Sequence, residues 1–231
     1  MCAVMPFSDL ADRVAGVRGR IDNAAARGGH GQRVTIVAVT KTYGPDAVSA
    51  AWEAGLRDVG ENKMQEALAK MVDVAVPVRW HLIGHLQRNK VKSVDRFAMV
   101  HSVDSGRLAD AVNRVGEERG TPVRVLMQVN VSGEDSKGGL RPDELEAEGM
   151  RWLGLRGLAV DGVMTMAPLD ADERTLRTVF ASAREARERL ASIGHAATEL
   201  SMGMSNDYEI AVEEGATMVR LGTVLFGARS A

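Results

Sequence analysis

The chain is 231 residues long, 45% hydrophobic and 26% charged, the balance of an ordinary globular protein rather than a disordered or membrane chain. Its 29 basic and 31 acidic residues leave a formal charge of −2, which excludes a broad positive field for nucleic acid or an anionic membrane. The only cysteine, Cys2, rules out an intrachain disulfide and a cysteine-based metal cluster within one chain. No apolar run approaches the roughly 18 residues of a membrane span, and the opening MCAVMPFSDLADRV lacks the basic and apolar regions of an export signal. The expectation is a cytoplasmic protein with one core.

Leu10, Val14, Val17 and Ile21 recur at helical spacing until Gly28-Gly29 breaks the pattern, which predicts a helix ahead of the first strand. Residues 34–39 (VTIVAV) form the continuous β-branched run that a parallel strand buried on both faces requires. Pro45 suits a first helical turn, and a short helix over 47–54 stops at Gly55. The unit then repeats. Further strands are predicted at 57–60, 79–84, 98–103, 123–131, 157–166, 199–203 and 218–222, with helices at 63–74, 89–94, 106–119, 142–152, 173–192 and 208–214. Such alternation implies an α/β fold with a parallel sheet, and eight strands in this length imply closure into a single (β/α)₈ TIM barrel over residues 1–231, with an additional N-terminal helix. An open doubly wound sheet is the alternative, weakened by the lack of G-x-G-x-x-G after the first strand. The loop at 132–139 (SGEDSKGG), the segment richest in flexible residues, follows strand five on the face where barrels keep their sites.

Candidate site residues are therefore the polar ones at the C-terminal ends of strands. Lys41 follows an apolar strand; it reads either as an amine nucleophile activated by partial desolvation or as the ion-pair partner of Glu61. Gly222-Thr223 opens a short final helix whose exposed amides suit a phosphate. The segment from Ser201 to Ser205 supplies the matching loop after strand seven. Arg220, two residues before that glycine, could donate to a ligand ring nitrogen or pair with a barrel carboxylate. His81 and His85 lack the helical spacing and third ligand of a metal site, so one is expected to line the pocket and the other to lie in a loop.

These stretches resemble the pyridoxal phosphate homeostasis proteins, relatives of the N-terminal barrel of alanine racemase. The resemblance rests on VAVTKT around Lys41, GENKMQE at 60–66, WHLIGHLQRNK at 80–90, QVNVSGEDSKGG at 128–139, GVMTMAP at 162–168, ELSMGMSNDYEIAVEEGATMVRLGT at 199–223 and LFGAR at 225–229. It implies pyridoxal 5′-phosphate held as a Schiff base on Lys41, with phosphate bound by Ser205, Gly222 and Thr223, and by Ser201 and the Met202 amide as further candidates. It also implies Arg220 at the pyridine nitrogen and Asn62 in the pocket wall. In alanine racemase the second catalytic base is a tyrosine of a C-terminal β domain, whereas this chain ends at Ala231 after the barrel pattern and has only Tyr43 and Tyr208. The expectation is a non-catalytic protein, a monomer rather than a dimer, that controls free cofactor and delivers it to apoenzymes that depend on it. The alternatives are a weak amino-acid racemase and, last, a sugar-phosphate barrel using Lys41.

Overall fold

The structure, a computed structural model, describes residues 7–134 and 138–227. The three residues 135–137 of the loop singled out above lie outside the described residues. Eight strands run β1 (Thr35–Val39), β2 (Asp58–Glu61), β3 (Arg79–Leu82), β4 (Met99–Val103), β5 (Val123–Gln128), β6 (Leu158–Met164), β7 (Glu199–Ser201) and β8 (Met218–Leu221). All pair in parallel in sequence order, and β8 returns to β1 to close the barrel. Most strand residues are buried, as they must be when helices cover one face and the barrel interior the other. The interior holds a small apolar group, Val37, Met99, Leu126, Met164 and Met218, separate from the large core between strands and helices.

The opening helix α1 (Leu10–Gly28) buries Leu10, Val14, Val17 and Ile21 and ends at Gly29, whose φ of 70° suits a left-handed cap. The crossovers are α2 (Pro45–Glu53), α3 (Met64–Asp73), a 3-10 segment (Arg88–Arg96), α4 (Gly106–Arg119), α5 (Leu145–Trp152), α6 (Glu173–Ile193) and α7 (Tyr208–Glu213); α8 (Thr223–Phe226) follows β8. No described helix is long and apolar enough to cross a membrane.

Among the departures from the sequence expectation, three have a visible cause. The segment expected as a helix at 89–94 is 3-10, because its buried residues Val91 and Val94 are three apart, the period of that helix. Helix α5 begins at Leu145 rather than 142, since Arg141 to Glu144 form a turn in which the Glu144 carboxylate accepts from the Arg141 amide. Strand β5 stops at Gln128 because Leu140 folds back onto it, donating to the Gln128 carbonyl and accepting from the Asn130 amide.

Candidate active site

Strands β7, β8 and β1 are neighbours, so the loops after them share one sector of the barrel mouth. Lys41 lies in the turn after β1, half-buried. In that turn the Tyr43 amide donates to the Thr40 carbonyl at 3.1 Å, and Thr42 has a φ of 71°, which a β-branched residue adopts only when held there. Helix α3 does the holding. Lys70 Nζ donates to the Thr40 carbonyl (2.8 Å), to Glu61 Oε1 (2.8 Å) and to Glu66 Oε1 (3.0 Å). Glu66 Oε1 also accepts from the Thr42 amide at 2.6 Å, and Glu61 Oε1 from Thr40 Oγ1 at 2.6 Å. The turn that presents Lys41 is thus pinned from behind by a buried ion cluster. Burial raises the Glu61 pKa, opposed by Lys70 and Thr40. At Glu66 burial works upward too, but the Thr42 amide and Lys70 outweigh it and the pKa falls. Glu61, weighed from sequence as a partner for Lys41, is engaged by Lys70, a residue that sequence reasoning did not single out.

The two loops expected to hold an anion come together. Ser205 Oγ accepts from the amides of Gly222 and Val224, each at 3.3 Å, so the loop after β7 meets the first turn of α8 with Thr223 exposed between them. Gly203 lets that loop turn closely onto α7: its φ is 89°, and a Cβ there would lie 2.6 Å from the Ala211 Cβ. Two of the expected phosphate donors lie elsewhere, which corrects the wider set. The Met202 amide is committed to the Met218 carbonyl at 3.1 Å, and its side chain belongs to the outer core. Ser201 points into the barrel interior, where its hydroxyl meets Arg220 and His101. Asn62 follows β2, half-buried, with its backbone so close to Gly84 that a Cβ on that glycine would lie 2.4 Å from the Asn62 carbonyl.

Arg220 is buried at the end of β8, where Nη1 donates to Ser201 Oγ (2.7 Å) and Nη2 to the Thr165 carbonyl (2.9 Å). Burial lowers its pKa to about 10, a shift that Asp207 opposes, and it stays a cation at neutral pH. Behind it runs a chain of contacts that sequence reasoning missed. Ser201 Oγ lies 2.9 Å from His101 Nδ1, His101 Nε2 lies 2.9 Å from His81 Nδ1, and His81 Nε2 lies 2.8 Å from Asp58 Oδ1. Arg79 grips Asp58 with two hydrogen bonds of 2.7 and 2.6 Å. Burial, with the nearby His81 and Arg220, pushes His101 well below the usual histidine range, so it is neutral. Burial would raise Asp58, but hydrogen bonds from His81 and Arg79 outweigh it and bring the pKa to about 2. His81 therefore lies inside the barrel rather than in the pocket wall; His85 is the exposed loop residue expected, beside Asp104. The signal available in sequence was a polar residue at an alternate position of each apolar strand, His81 in RWHL and His101 in MVHSV.

Both tyrosines have partners in the fold. Tyr43 packs against Phe7 and Phe226 and donates to the Gly227 carbonyl, and Tyr208 is bound by Arg20 of α1.

Residues 17–230 match the family described as alanine racemase, N-terminal domain. A pyridoxal phosphate homeostasis protein of Pseudomonas aeruginosa is 42% identical, the alignment covering 96% of this chain and 97% of that one. The chain belongs to this family. An Escherichia coli member, also named pyridoxal phosphate homeostasis protein, is 37% identical, with 96% of this chain and 98% of its own covered. Among solved structures, PipY of Synechococcus elongatus, determined with PLP bound, is 36% identical and superposes with a TM-score of 0.84, covering 94% of this chain and all of that one. Alanine racemase from Corynebacterium glutamicum, at 16% identity and a TM-score of 0.75 over 62% of its length, shares the fold.

Proposed function

We propose that this protein binds pyridoxal 5′-phosphate at the barrel mouth, covalently through Lys41, and acts as a carrier and regulator of the free cofactor. The carrying observation is the convergence on adjacent strand ends of a held lysine turn, a buried guanidinium and the Ser205–Gly222–Val224 cradle. The residues fit the group. When bound, the cofactor supplies an aldehyde for the Lys41 amine and an electron-poor ring. Ser205 and the amides of Gly222 and Thr223 would hold the phosphate, Arg220 would donate to the ring nitrogen, and Asn62 would line the wall. A permanent cation at that nitrogen disfavours its protonation and so weakens the ring as an electron sink. The PipY structure with PLP bound supports the cofactor assignment.

A carrier is favoured over a racemase because racemisation needs a base on each face of the substrate carbon. Lys41 offers one, and the two tyrosines are engaged elsewhere, Tyr43 with the Gly227 carbonyl and Tyr208 with Arg20. The names of the relatives agree with a homeostatic role. The recipients in this reading are cytoplasmic apoenzymes that use the same cofactor.

The test is the visible spectrum of the purified protein with added cofactor, before and after borohydride, with peptide mapping of the adduct. A band trapped on Lys41 and lost in Lys41→Ala is the expected result; no band in the wild type overturns the proposal. Incubation with single L-amino acids and chiral analysis decides the role. D-enantiomer formation that Lys41→Ala abolishes would replace the carrier with a racemase.

A further inference from the structure

Helix α1 stands outside the eight strand–helix units, yet the segment leading into it is bound to the elements that the cofactor reading brings together. Phe7, just ahead of α1, has a φ of 69°, an angle that a bulky residue keeps only where contacts hold it. Its ring meets those of Tyr43 and Phe226 edge-on, with centroids 5.8 and 5.5 Å away and interplanar angles of 77° and 81°. Tyr43 and Phe226 lie 5.3 Å from each other, tilted at 40°. These are the separations of attractive aromatic pairs, so rings from three parts of the chain each hold the other two.

Two of the rings are tied to the site through backbone. Tyr43 closes the turn that presents Lys41, its amide donating to the Thr40 carbonyl at 3.1 Å. Phe226 lies one helical turn beyond the cradle: its amide donates to the Gly222 carbonyl at 2.9 Å, and the Gly222 amide is one of the two that meet Ser205 Oγ. The Tyr43 hydroxyl adds a bond of 3.3 Å to the Gly227 carbonyl, just past α8. Helix α1 adds another. Asp9 accepts from Arg13 Nε at 2.9 Å, and the guanidinium so aimed donates from Nη1 to the Leu225 carbonyl at 3.2 Å, in the last turn of α8 where carbonyls lack partners within the helix. The pairing of β1 with β8 runs to Ala38 and Leu221; past that point these contacts make the join.

We propose that Phe7 is a positioning residue: with Tyr43 and Phe226 it forms an aromatic bracket that sets the Lys41 turn against the cradle before any ligand arrives, and so makes the segment leading into α1 part of the cofactor site. The bearing on the cofactor rests on the reading of Lys41 and the cradle as two ends of one pyridoxal 5′-phosphate site. A ligand gripped at both ends benefits from the second grip only where the two ends already stand in the right relation. Where they move freely, binding has to order them first. The bracket does that ordering in advance. Its loss weakens the joint grip and leaves the single grip of Lys41 as it was.

The experiment compares two aldehydes: pyridoxal 5′-phosphate, which can use both ends, and pyridoxal, which has no phosphate and can use Lys41 alone. Each is titrated into wild type and Phe7→Ala, and the visible band that borohydride removes is read. Wild type is expected to saturate at a much lower concentration of the phosphate ester. In Phe7→Ala, which loses two ring pairs, the half-saturating concentration of pyridoxal 5′-phosphate is expected to rise about tenfold while that of pyridoxal changes little. Phe7→Tyr, which keeps the ring, is expected to restore the wild-type values. An equal rise for both aldehydes, or no rise for either, overturns the bracket. Should Phe7→Ala fail to fold, Phe7→Leu carries the same comparison, with a smaller loss confined to the phosphate ester expected and an equal loss for both overturning it. Cofactor-free protein gives a second reading by hydrogen exchange. The Tyr43 and Phe226 amides are expected to exchange faster in Phe7→Ala while the Val37 amide of β1 does not; unchanged exchange at all three overturns the bracket. A wild type that takes both aldehydes equally strikes the reading of the site and the bracket with it, whereas a preference of the same size in wild type and Phe7→Ala strikes the bracket alone.

Discussion

Lys70 shows how much one residue's surroundings decide. Four residues along α3 from Glu66, it has the spacing of an ordinary exposed helix pair, worth a few tenths of a kcal/mol. The fold instead seats it at 8% side-chain exposure against a fully buried Glu61. Removing one partner of a buried pair strands the other, at a cost of about 3–5 kcal/mol, whereas removing both often costs little. Lys70→Met is therefore expected to lower the urea midpoint sharply and to loosen the Lys41 turn, and Lys70→Met with Glu61→Gln to recover most of the loss. A double variant no better than the single one would show that the cluster acts through packing rather than charge. Asp58 makes a separate prediction in acid. Its pKa falls from 3.8 to about 2 on folding, so between those values the unfolded chain binds the proton that the folded one refuses. Its contribution is complete above about pH 4 and fades as pH falls toward 2. The stability difference between wild type and Asp58→Asn, followed by denaturant titration, should accordingly shrink over that interval; a constant difference would mean that the carboxylate's charge contributes nothing to the folded state.

Where α4 lies against the start of β6, two glycines meet: a Cβ on Gly116 would fall 2.0 Å from the Gly157 carbonyl oxygen, and one on Gly157 would fall 2.1 Å from that of Asn113. Helix propensity alone favours Gly116→Ala by about 1 kcal/mol. Overpacking against rigid backbone costs about 1–3 kcal/mol, so the net expectation is destabilisation, read as a lower thermal midpoint. A midpoint at or above wild type would show that α4 can move outward freely. At this same scale the barrel itself was legible, because strands buried on both faces leave uninterrupted runs such as TIVAV, and amphipathic crossovers such as α6 leave a stripe of Leu176, Val179, Phe180, Ala183 and Leu190. That the loops carrying Ser205 and Gly222 would lie side by side was legible for a similar reason, since each follows a strand that the alternation places next to the other. The interior chain was not: a single histidine in an apolar strand reads alike whether it faces the helices or the barrel axis. Only closure brings His101 within reach of Ser201, a hundred residues away. The Met202 amide misled because a glycine-rich loop suggests exposed donors, while pairing between β7 and β8 takes that one.

Taken as a whole, the barrel is a ring closed by the pairing of β1 with β8, and the proposed cofactor site straddles that closure, with Lys41 on one side and Ser205 and Gly222 on the other. A ligand bound there ties the first strand's turn to the loops after the last two, and it binds only the folded chain. Stability must then rise with free ligand by mass action, by about 2.7 kcal/mol at a hundredfold excess over Kd. For a chain of this length that corresponds to a thermal midpoint higher by roughly 5–10 °C. Lys41→Ala removes the covalent anchor on the β1 side, so its midpoint should rise much less at the same cofactor concentration. Inorganic phosphate, which can occupy only the cradle on the β8 side, should raise the two proteins' midpoints equally and slightly. If pyridoxal 5′-phosphate stabilised Lys41→Ala as strongly as wild type, the lysine would not be the residue that joins the ligand to the first strand, and the cradle alone would account for binding.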